Sequence, residues 1–427
     1  YDDAETMHRL MDNAAEEGKS LGLTVGTGLS AEQAARLTRD IVWLEETEYM
    51  GQTVLVPRLY LCEQTLAELD ARGAVLSGGD ATIRADGDVN NSGLIAGDVV
   101  RLASTADILN RGGDIIGRNA LVARADGSIL NQSGGLGGGD ISLTAGGDIH
   151  LETLLEQVGA ANGVESRVGR AAAVNASGAL TMRAGNDILL SGATANAEGT
   201  ALLSAGNDIV LGGESASFSR VFKGGHSSLS GFMGSAVNGG DVTLDAGGDL
   251  TLAGSRVAAE NGAELQAGGD LSLIAMQGES HYYHHESRKG SMFKSGYSRT
   301  EQRDETGLVG SAVTAGGDVN LRAGTGAEPG RLLMHASSVD GGGDVSLTAT
   351  GDVVAVSGEE SFHSFSASSS TKFLSAKASA SEQAAVTPGG SDIHGRNVTI
   401  GGTQFFSHIA GKIFICRKIF RLVAIWR

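Results

Sequence analysis

The fold is decided by a short repeated stretch, which in its clearest form reads GGDVTLDAGGDLTL and runs from Gly239 to Leu252. It contains a Gly/Asp turn, a short alternating strand, a second turn and a second strand. In the first strand Val242, Leu244 and Ala246 alternate with polar residues, so they share one face. A single unit cannot bury this face, whereas stacked units bury it continuously. The stretch therefore predicts a repeat protein built of short strands.

Versions of this unit recur from about residue 78 to residue 400. Its aliphatic positions align at Val89, Ile108, Ile129, Ile149, Ile188, Ile209, Leu250 and Leu271. Neighbouring positions are most often about 20 residues apart, a shorter period than that of tetratricopeptide, ankyrin or propeller repeats, and a leucine-rich signature is absent. We therefore predict an all-β fold, a parallel (right-handed) β-helix solenoid preceded by a short α-containing segment. Asparagines recur near the same period, at Asn90-Asn91, Asn110 and Asn131, which predicts hydrogen bonds between stacked amides.

The composition fits such a repeat and excludes one class of partner. The 427 residues include 65 glycines, 3 prolines and 4% aromatic residues, which suits layers of small and aliphatic side chains. The formal charge is −18 and the pI about 4.9, so we predict no nucleic-acid partner, because a phosphate backbone needs a basic surface. The two cysteines, Cys62 and Cys416, give neither a disulfide framework nor the spacing of a metal site.

Residues 1–70 differ from the repeats and form a helix-containing N-terminal segment. Apolar residues at helical spacing predict a helix over Asp2–Glu17 that ends at Gly18. A capping box at Ser30–Gln33 comes before an apolar stripe of helical spacing, which consists of Ala34, Leu37, Ile41 and Leu44. Thr53–Cys62 is typical of a strand, and Pro57 within it indicates an edge or a bulge. The chain begins at Tyr1 without a methionine, so we interpret it as a piece of something longer.

Three excursions interrupt the β-helix repeats, which we assign to residues 71–403. They lie near residues 212–238, 277–312 and 355–388, and each is rich in Ser and carries Phe, His and Lys. The coil pattern resumes after each one, so we interpret them as arms that leave the solenoid. Residues 404–427 are atypical and basic. A cationic amphipathic membrane helix is one interpretation, and an out-of-frame tail is the one we favour.

The second excursion carries the candidate contact residues His281, Tyr282, Tyr283, His284 and His285. The histidines, together with the glutamate that follows them, could also supply ligands to a metal ion. However, no second group of ligands with matching spacing is present, and His284 and His285 would point to opposite faces of a strand. We therefore predict an exposed contact arm here.

Two further motifs fit structural roles better than chemical ones. The residues Gly18–Gly22 match the Gly-x-Ser-x-Gly nucleophile motif, but a helix precedes them where that motif needs a strand, so a helix C-terminal turn is favoured. Gly134–Asp140 approaches the calcium-binding Gly-Gly-x-Gly-x-Asp pattern, but its Asp is one place late and the period is wrong. We predict no catalytic residues, no cofactor and no metal.

Two features together resemble a known family. One is the segment LTRDIVWL at Leu37–Leu44, followed by GQTVLVPRLYL at Gly51–Leu61. The other is the series of coils with Ala-Gly-Gly-Asp and Ala-Gly-Asn-Asp steps, at Ala145–Asp148, Ala184–Asp187 and Ala205–Asp208. The chain resembles, over about residues 1–403, the haemagglutinin-repeat region of large two-partner-secretion exoproteins. These include filamentous haemagglutinin-like adhesins and contact-dependent growth-inhibition toxins.

The resemblance implies a stalk segment of an exoprotein that is secreted and displayed at the bacterial cell surface, where it serves adhesion or delivery of a contact-dependent toxin. The implied partners are an outer-membrane two-partner-secretion transporter and a receptor on a host cell or a neighbouring bacterium. The alternative is a β-helical polysaccharide-degrading enzyme, since pectate-lyase-like proteins share the fold class. Such an enzyme needs carboxylates and basic residues that converge on one cleft, whereas the acidic residues here are spread through turns.

Overall fold

The computed structural model describes residues 3–24, 26–27, 29, 33, 36–49, 52–60, 62, 74–160, 162–291, 294–372, 375–409, 412–416 and 420–422. The chain divides into two compact units, Tyr1–Gly73 and Ala74–Arg427. Within the described residues, no helix is both long enough and apolar enough to cross a membrane.

The first unit packs one helix against a two-stranded sheet. Helix α1 spans Asp3–Leu21, and strands β1 (Ile41–Tyr49) and β2 (Gln52–Tyr60) pair antiparallel. The first predicted helix is therefore present, but it continues past Gly18 and ends at Leu21. Gly22 follows it with a φ of 65°, the left-handed conformation that commonly terminates a helix.

The second predicted helix was wrong at Ile41 and Leu44, although Gln33 of its capping box is helical. Ile41 and Leu44 of the apolar stripe lie on β1, which pairs with β2 from Ile41 to Tyr49. Strand β1 is rich in β-branched and aromatic residues, which favour a strand. Ser30 to Glu32 and Ala34 lie outside the described residues. The strand predicted at Thr53–Cys62 corresponds to β2, and Pro57 lies opposite Leu44 in the ladder.

Gly18 has a packing role instead of the predicted role at the helix end. A Cβ atom at Gly18 would lie 3.0 Å from two ring carbons of Trp43, which is 8% exposed in the core of this unit. The indole nitrogen of Trp43 donates to the carbonyl oxygen of Thr27 at 3.2 Å. Within the same helix, the Ser20 hydroxyl donates to the Glu17 carbonyl oxygen at 3.1 Å. Ser20 is thus a helix residue, without the strand–turn–helix setting of a nucleophile.

The second unit consists of short strands. Up to residue 152 they are β3 (Val75–Ser77), β4 (Asp80–Ala85), β5 (Val89–Asn91), β6 (Leu94–Ser104), β7 (Ile108–Arg111), β8 (Asp114–Ala125), β9 (Ile129–Gln132), β10 (Gly135–Ala145) and β11 (Ile149–Glu152). Up to residue 288 they are β12 (Leu155–Ala160), β13 (Gly163–Val168), β14 (Ala173–Ala176), β15 (Leu180–Ala184), β16 (Ile188–Ser191), β17 (Thr194–Ala197), β18 (Ala201–Ala205), β19 (Ile209–Phe222), β20 (Gly225–Gly234), β21 (Ala236–Gly239), β22 (Val242–Ala246), β23 (Leu250–Ala253), β24 (Arg256–Ala259), β25 (Ala263–Ala267), β26 (Leu271–Ile274) and β27 (Met276–Arg288). The remainder are β28 (Gly296–Val309), β29 (Ala312–Ala315), β30 (Val319–Ala323), β31 (Leu332–His335), β32 (Ser338–Gly341), β33 (Val345–Ala349), β34 (Val353–Val356), β35 (Gly358–Lys372), β36 (Ser375–Gly389), β37 (Asp392–His394), β38 (Val398–Gly401), β39 (Phe405–Ile409), β40 (Lys412–Cys416) and β41 (Phe420–Leu422).

These strands form a parallel β-helix, as the sequence predicts. Each coil contributes strands in a fixed order, for example β14, β15 and β16, and the next coil places β17, β18 and β19 on them in parallel register. One column of the solenoid stacks Ile149, Ile188, Ile209, Leu250 and Leu271 directly on one another. The aliphatic positions aligned in the sequence are therefore confirmed as neighbours in the structure.

The interior is a continuous apolar column, because alternate residues of the coil strands point inward. In β22 the buried residues are Val242, Leu244 and Ala246, at 2% exposure or less. Leu244 lies between Leu203 of the coil below and Leu265 of the coil above. Burying one leucine side chain in this way stabilises the fold by about 1.5–3 kcal/mol.

Polar residues extend the stacking at the corners of the coils. Asn91, Asn110 and Asn131 form the predicted ladder, with amide-to-amide distances of 2.7 and 2.8 Å. At another corner, the Asp208 carboxylate accepts the backbone N–H of Asp249 at 2.7 Å, so the turn aspartates bind the next coil. Amide and carboxylate groups at these corners thus form hydrogen bonds that connect one coil to the next.

The last strands depart from the parallel pattern. Strand β39 stacks in parallel on β34, but β40 pairs antiparallel with β39, and β41 pairs antiparallel with β38. Residues 410–411, 417–419 and 423–427 of the predicted out-of-frame tail lie outside the described residues. The change of coding frame stays a prediction.

Candidate contact site on the arm sheet

Four hairpins leave the solenoid and join into one antiparallel sheet, which we call the arm sheet. The hairpins are β12–β13, the outer part of β19 with β20, β27–β28 and β35–β36. They join each other through the pairs β13–β19, β20–β27 and β28–β35. Three hairpins contain most of the excursions near 212–238, 277–312 and 355–388. The fourth, Leu155–Val168, was missed, although the stacked residues Ile149 and Ile188 are 39 positions apart, almost twice the period.

The five candidate contact residues lie on β27, but they do not form one cluster. His281, Tyr283 and His285 point to one side of the arm sheet, which we call the imidazole face. Tyr282 and His284 point to the other side, the aromatic face, because neighbouring residues of a strand alternate. The predicted separation of His284 from His285 is therefore present in the structure.

A row of ionisable side chains crosses the imidazole face. It connects His226, His281, Asp304, His363 and Glu382, which come from three successive hairpins. The Nε2 atoms of His226 and His281 are 3.0 Å apart, and Nδ1 of His281 contacts a carboxylate oxygen of Asp304. The other oxygen of Asp304 lies 3.5 Å from His363 Nδ1, and His363 Nε2 lies 3.0 Å from Glu382. The row thus links the hairpins side by side.

The row shifts the pKa values of two of its members. Partial burial alone would raise the pKa of Asp304, but hydrogen bonds from Gln302 and His281 outweigh it and hold that pKa below its usual value. The hydrogen bond to Glu382, followed by the contact with Asp304, raises the pKa of His363. Both shifts favour the charged forms, so an ion pair between Asp304 and His363 is stabilised.

The aromatic face combines exposed rings with an arginine. Phe222 stacks on Tyr282 with 6.1 Å between ring centroids, and it lies 5.8 Å from the ring of His284. The guanidinium of Arg303 lies over the ring of Phe362, 5.3 Å from its centroid. Tyr282 is 36% exposed. Aromatic and arginine side chains are the residues that contribute most at protein interfaces.

Glycines open a groove on the same face. Gly278 lies opposite Gly307 in the ladder, and Gly231 follows the last residue pair that joins β20 to β27. A Cβ atom at Gly231 or Gly307 would meet no atom within 4 Å. The groove has a volume of about 590 Å³, and its lining includes Leu229 and Phe362. Glycine weakens the interior of a strand, so such positions often mark the close approach of another molecule.

The described residues do not assemble a metal centre of three or more His, Cys, Asp or Glu side chains. His285 and Glu286, which the sequence offered with His281 as possible metal ligands, have other partners. His285 contacts the hydroxyl of Thr300 at 2.9 Å, and Glu286 accepts a hydrogen bond from Tyr297, which raises the pKa of that phenol. The arm sheet therefore presents exposed aromatic rings, a row of paired charges and a groove.

Comparisons with known proteins agree with this architecture. Two family models, both of the haemagglutinin repeat, match the chain: one over residues 21–112, 101–152 and 158–213, the other over residues 215–290 and 293–414. No solved structure shows significant similarity.

Several curated relatives share the repeats. The chain is 36% identical to the tRNA nuclease CdiA of Yersinia mollaretii over 208 residues, 45% of this chain and 7% of the relative. It is 32% identical to the deoxyribonuclease CdiA of Dickeya dadantii over 376 residues, 84% of this chain and 11% of the relative. The chain thus spans about a tenth or less of the length of these relatives. With both family models on its repeats, this chain belongs to the haemagglutinin-repeat family.

Proposed function

We propose that this chain is a structural stalk segment of a secreted exoprotein, displayed at the bacterial cell surface and used in adhesion or in delivery of a contact-dependent toxin. The observation that carries the proposal is the uninterrupted stack of coils, together with the arm sheet, in a haemagglutinin-repeat chain. Each coil binds only its neighbours, so length can be added without a new core. The comparisons give no support to the polysaccharide-degrading alternative.

The proposed partners follow from the family. They are an outer-membrane two-partner-secretion transporter and a receptor on a host cell or a neighbouring bacterium. Two relatives above are named as nucleases, but the match covers only 7% and 11% of their length. We propose that this chain itself has no nuclease activity, and its formal charge of −18 opposes nucleic-acid binding.

The aromatic face of the arm sheet is the proposed receptor contact. It exposes Phe218, Leu229 and Tyr282 by 37%, 54% and 36%, beside the groove that Gly278 and Gly307 open. Apolar rings beside a hollow can anchor a partner side chain, and such anchors dominate binding free energy. On the imidazole face, His281 and Tyr283 contact His226 of the neighbouring hairpin, and His285 contacts Thr300 of its own hairpin, so these residues serve to hold the arm sheet together in this proposal.

Binding of the purified, fluorescently labelled chain to target cells tests the contact. Gly307→Val fills the groove without a clash, because a Cβ atom there meets nothing within 4 Å. Gly159→Val is the matched control, since Gly159 is equally open but lies on β12, in another hairpin. We expect saturable binding that Gly307→Val reduces at least tenfold and Gly159→Val leaves unchanged, with circular dichroism spectra alike. Equal binding by both variants would contradict the proposed contact.

A further inference from the structure

Two imidazoles face each other across the seam between two arms. His226 lies on β20 and His281 on β27, and they are diagonal neighbours, since His281 lies opposite Ser228. Their Nε2 atoms are 3.0 Å apart and their ring centroids 4.9 Å apart. His226 is exposed and the His281 side chain is 34% exposed, so the pair is open to solvent ions.

The surroundings of His281 prepare its Nε2 atom to bind a cation. Nδ1 of His281 contacts the Asp304 carboxylate, which also accepts a hydrogen bond from Gln302 at 2.7 Å. An acceptor at Nδ1 keeps the proton on that nitrogen and leaves the lone pair on Nε2. Histidines that bind metals typically donate their second N–H to a carboxylate in this manner. In the metal-free pair, Nε2–H of His226 donates to the free lone pair.

We propose that His226 and His281 together bind a divalent copper or nickel ion, with Asp304 as a positioning residue. The separation of the two Nε2 atoms gives the coordination angle that the pair offers. For metal–nitrogen bonds of about 2.0–2.1 Å, an Nε2 separation of 3.0 Å corresponds to an N–metal–N angle of about 94°. That angle fits two adjacent positions of a square-planar or octahedral ion, as Cu(II) and Ni(II) prefer. Tetrahedral zinc would need an Nε2 separation of about 3.3–3.4 Å.

Binding changes the tautomer of His226. The proton on Nε2 passes through solvent to Nδ1 of the same ring, so the imidazole stays neutral, and the freed Nε2 lone pair binds the metal beside that of His281. Water fills the remaining coordination positions, because the described residues offer no set of three ligands. The site is therefore a reversible link between arms, distinct from a buried structural metal centre.

The link lies at a short seam. Strand β20 pairs with β27 over six residue pairs, whereas β28 pairs with β35 over eleven. A metal ion bound to one histidine from each hairpin adds a connection between the two hairpins, which the short β20–β27 ladder alone joins weakly. Bound metal should therefore slow hydrogen exchange of the backbone amides of Ser227–Ser230.

Isothermal titration of the purified chain with Cu(II) or Ni(II) at pH 7.5 tests the site. We expect one ion per chain at this site, and at least a tenfold loss of affinity in His226→Gln and in His281→Gln. The matched control is His284→Gln, which removes an imidazole from the same strand on the opposite face. If His226→Gln binds as tightly as the unaltered chain, or if His284→Gln loses the ion, the proposal fails.

Two further measurements separate positioning from folding. Asp304→Asn should weaken binding about 10–100-fold. Its ¹⁵N spectrum should show loss of the Nδ1–H tautomer of His281, a signature that destabilisation alone would not produce. Zn(II) should bind more weakly than Cu(II) by a larger factor than at a free imidazole. An unchanged tautomer in Asp304→Asn would overturn the positioning role, and tighter binding of zinc than of copper and nickel would overturn the geometric assignment.

Discussion

The asparagine ladder gives a quantitative test of how the coils hold together. Asn110 is 1% exposed, and its Nδ2 donates to Asn131 Oδ1 at 2.8 Å and to the Gly113 carbonyl oxygen at 2.9 Å. Its Oδ1 accepts from Asn91 Nδ2 at 2.7 Å. The substitution Asn110→Ala removes all three hydrogen bonds while leaving the strand and its neighbours in place.

The loss of stability in Asn110→Ala can be assigned to the polar groups that lose their hydrogen-bond partner. The Gly113 carbonyl still accepts from Gly135 N–H at 2.9 Å, and Asn91 Nδ2 still donates to Gly93 at 3.1 Å. Asn131 Oδ1, in contrast, loses its donor in a site with 0% exposure. A buried unpaired acceptor costs about 1–3 kcal/mol, and the lost bonds add about 1 kcal/mol. We therefore expect the free energy of unfolding to fall by about 2–4 kcal/mol.

Urea denaturation followed by far-UV circular dichroism measures this change. Hydrogen exchange at the amides of β7 and β9 supplies a local measurement, because long repeat arrays can unfold in more than one step. The control is Asn90→Ala, which removes the exposed neighbour of Asn91 on the same strand and should change stability by less than about 0.5 kcal/mol.

A double-mutant cycle decides whether the ladder acts as a unit. In Asn110→Ala/Asn131→Ala no orphaned amide oxygen remains at Asn131. The double variant should therefore lose about 1–2 kcal/mol less than the sum of the single losses. Strict additivity, or a loss below about 0.5 kcal/mol for Asn110→Ala, would refute the reasoning that amide pairing between coils carries this corner.

Three other changes test the core, the first unit and the arm sheet. Leu244→Ala should lower the unfolding free energy by about 2–5 kcal/mol in urea denaturation, because it leaves a cavity in the apolar column. In Gly18→Ala the added methyl group would lie 3.0 Å from the Trp43 ring, and we expect the displacement of this buried ring to outweigh the gain in helix propensity of about 1 kcal/mol and to lower the melting temperature. The raised pKa of His363 means that its contact with Glu382 stabilises fully below its usual pKa of 6.5 and is lost as pH rises through the raised pKa. Proteolysis of β35–β36 should accelerate over that range, and His363→Gln should abolish the pH dependence.

The solenoid core could be predicted because it depends on local pattern. Alternation places Leu250 and Leu252 inward whatever the rest of the chain does, and a period near 20 then fixes which residues stack. The N-terminal unit was harder, since apolar spacing at Ile41 and Leu44 also satisfies a helix. These residues form a strand because they pair with β2, an interaction that local spacing does not reveal. Gly18 was assigned to a helix end because its contact with Trp43 is not visible in local sequence.

The arm sheet could be predicted only in part. The excursions were visible as breaks in the coil pattern, and the placement of His284 and His285 on opposite faces follows from alternation. Their partners were not visible, because His226 and His281 are 55 positions apart, and whether they meet depends on how many coils separate their hairpins.

The spacing of the arms explains why they meet at all. In the column of stacked strands that contains Ile149 and Ile188, hairpins leave after β11, after the inner part of β19, after β26 and after β34. One strand without a hairpin lies between each neighbouring pair of these, namely β16, β23 and β31. Successive arms therefore leave the solenoid two coils apart, a distance of about 9.6 Å along its axis. The two strands of one hairpin occupy the same width within a sheet. An arm on every coil would leave no room for the second strand, and wider spacing would leave edges unpaired. The lateral pairing of the arms, and with it the charge row and the histidine pair, follows from this match of two strands to two coils.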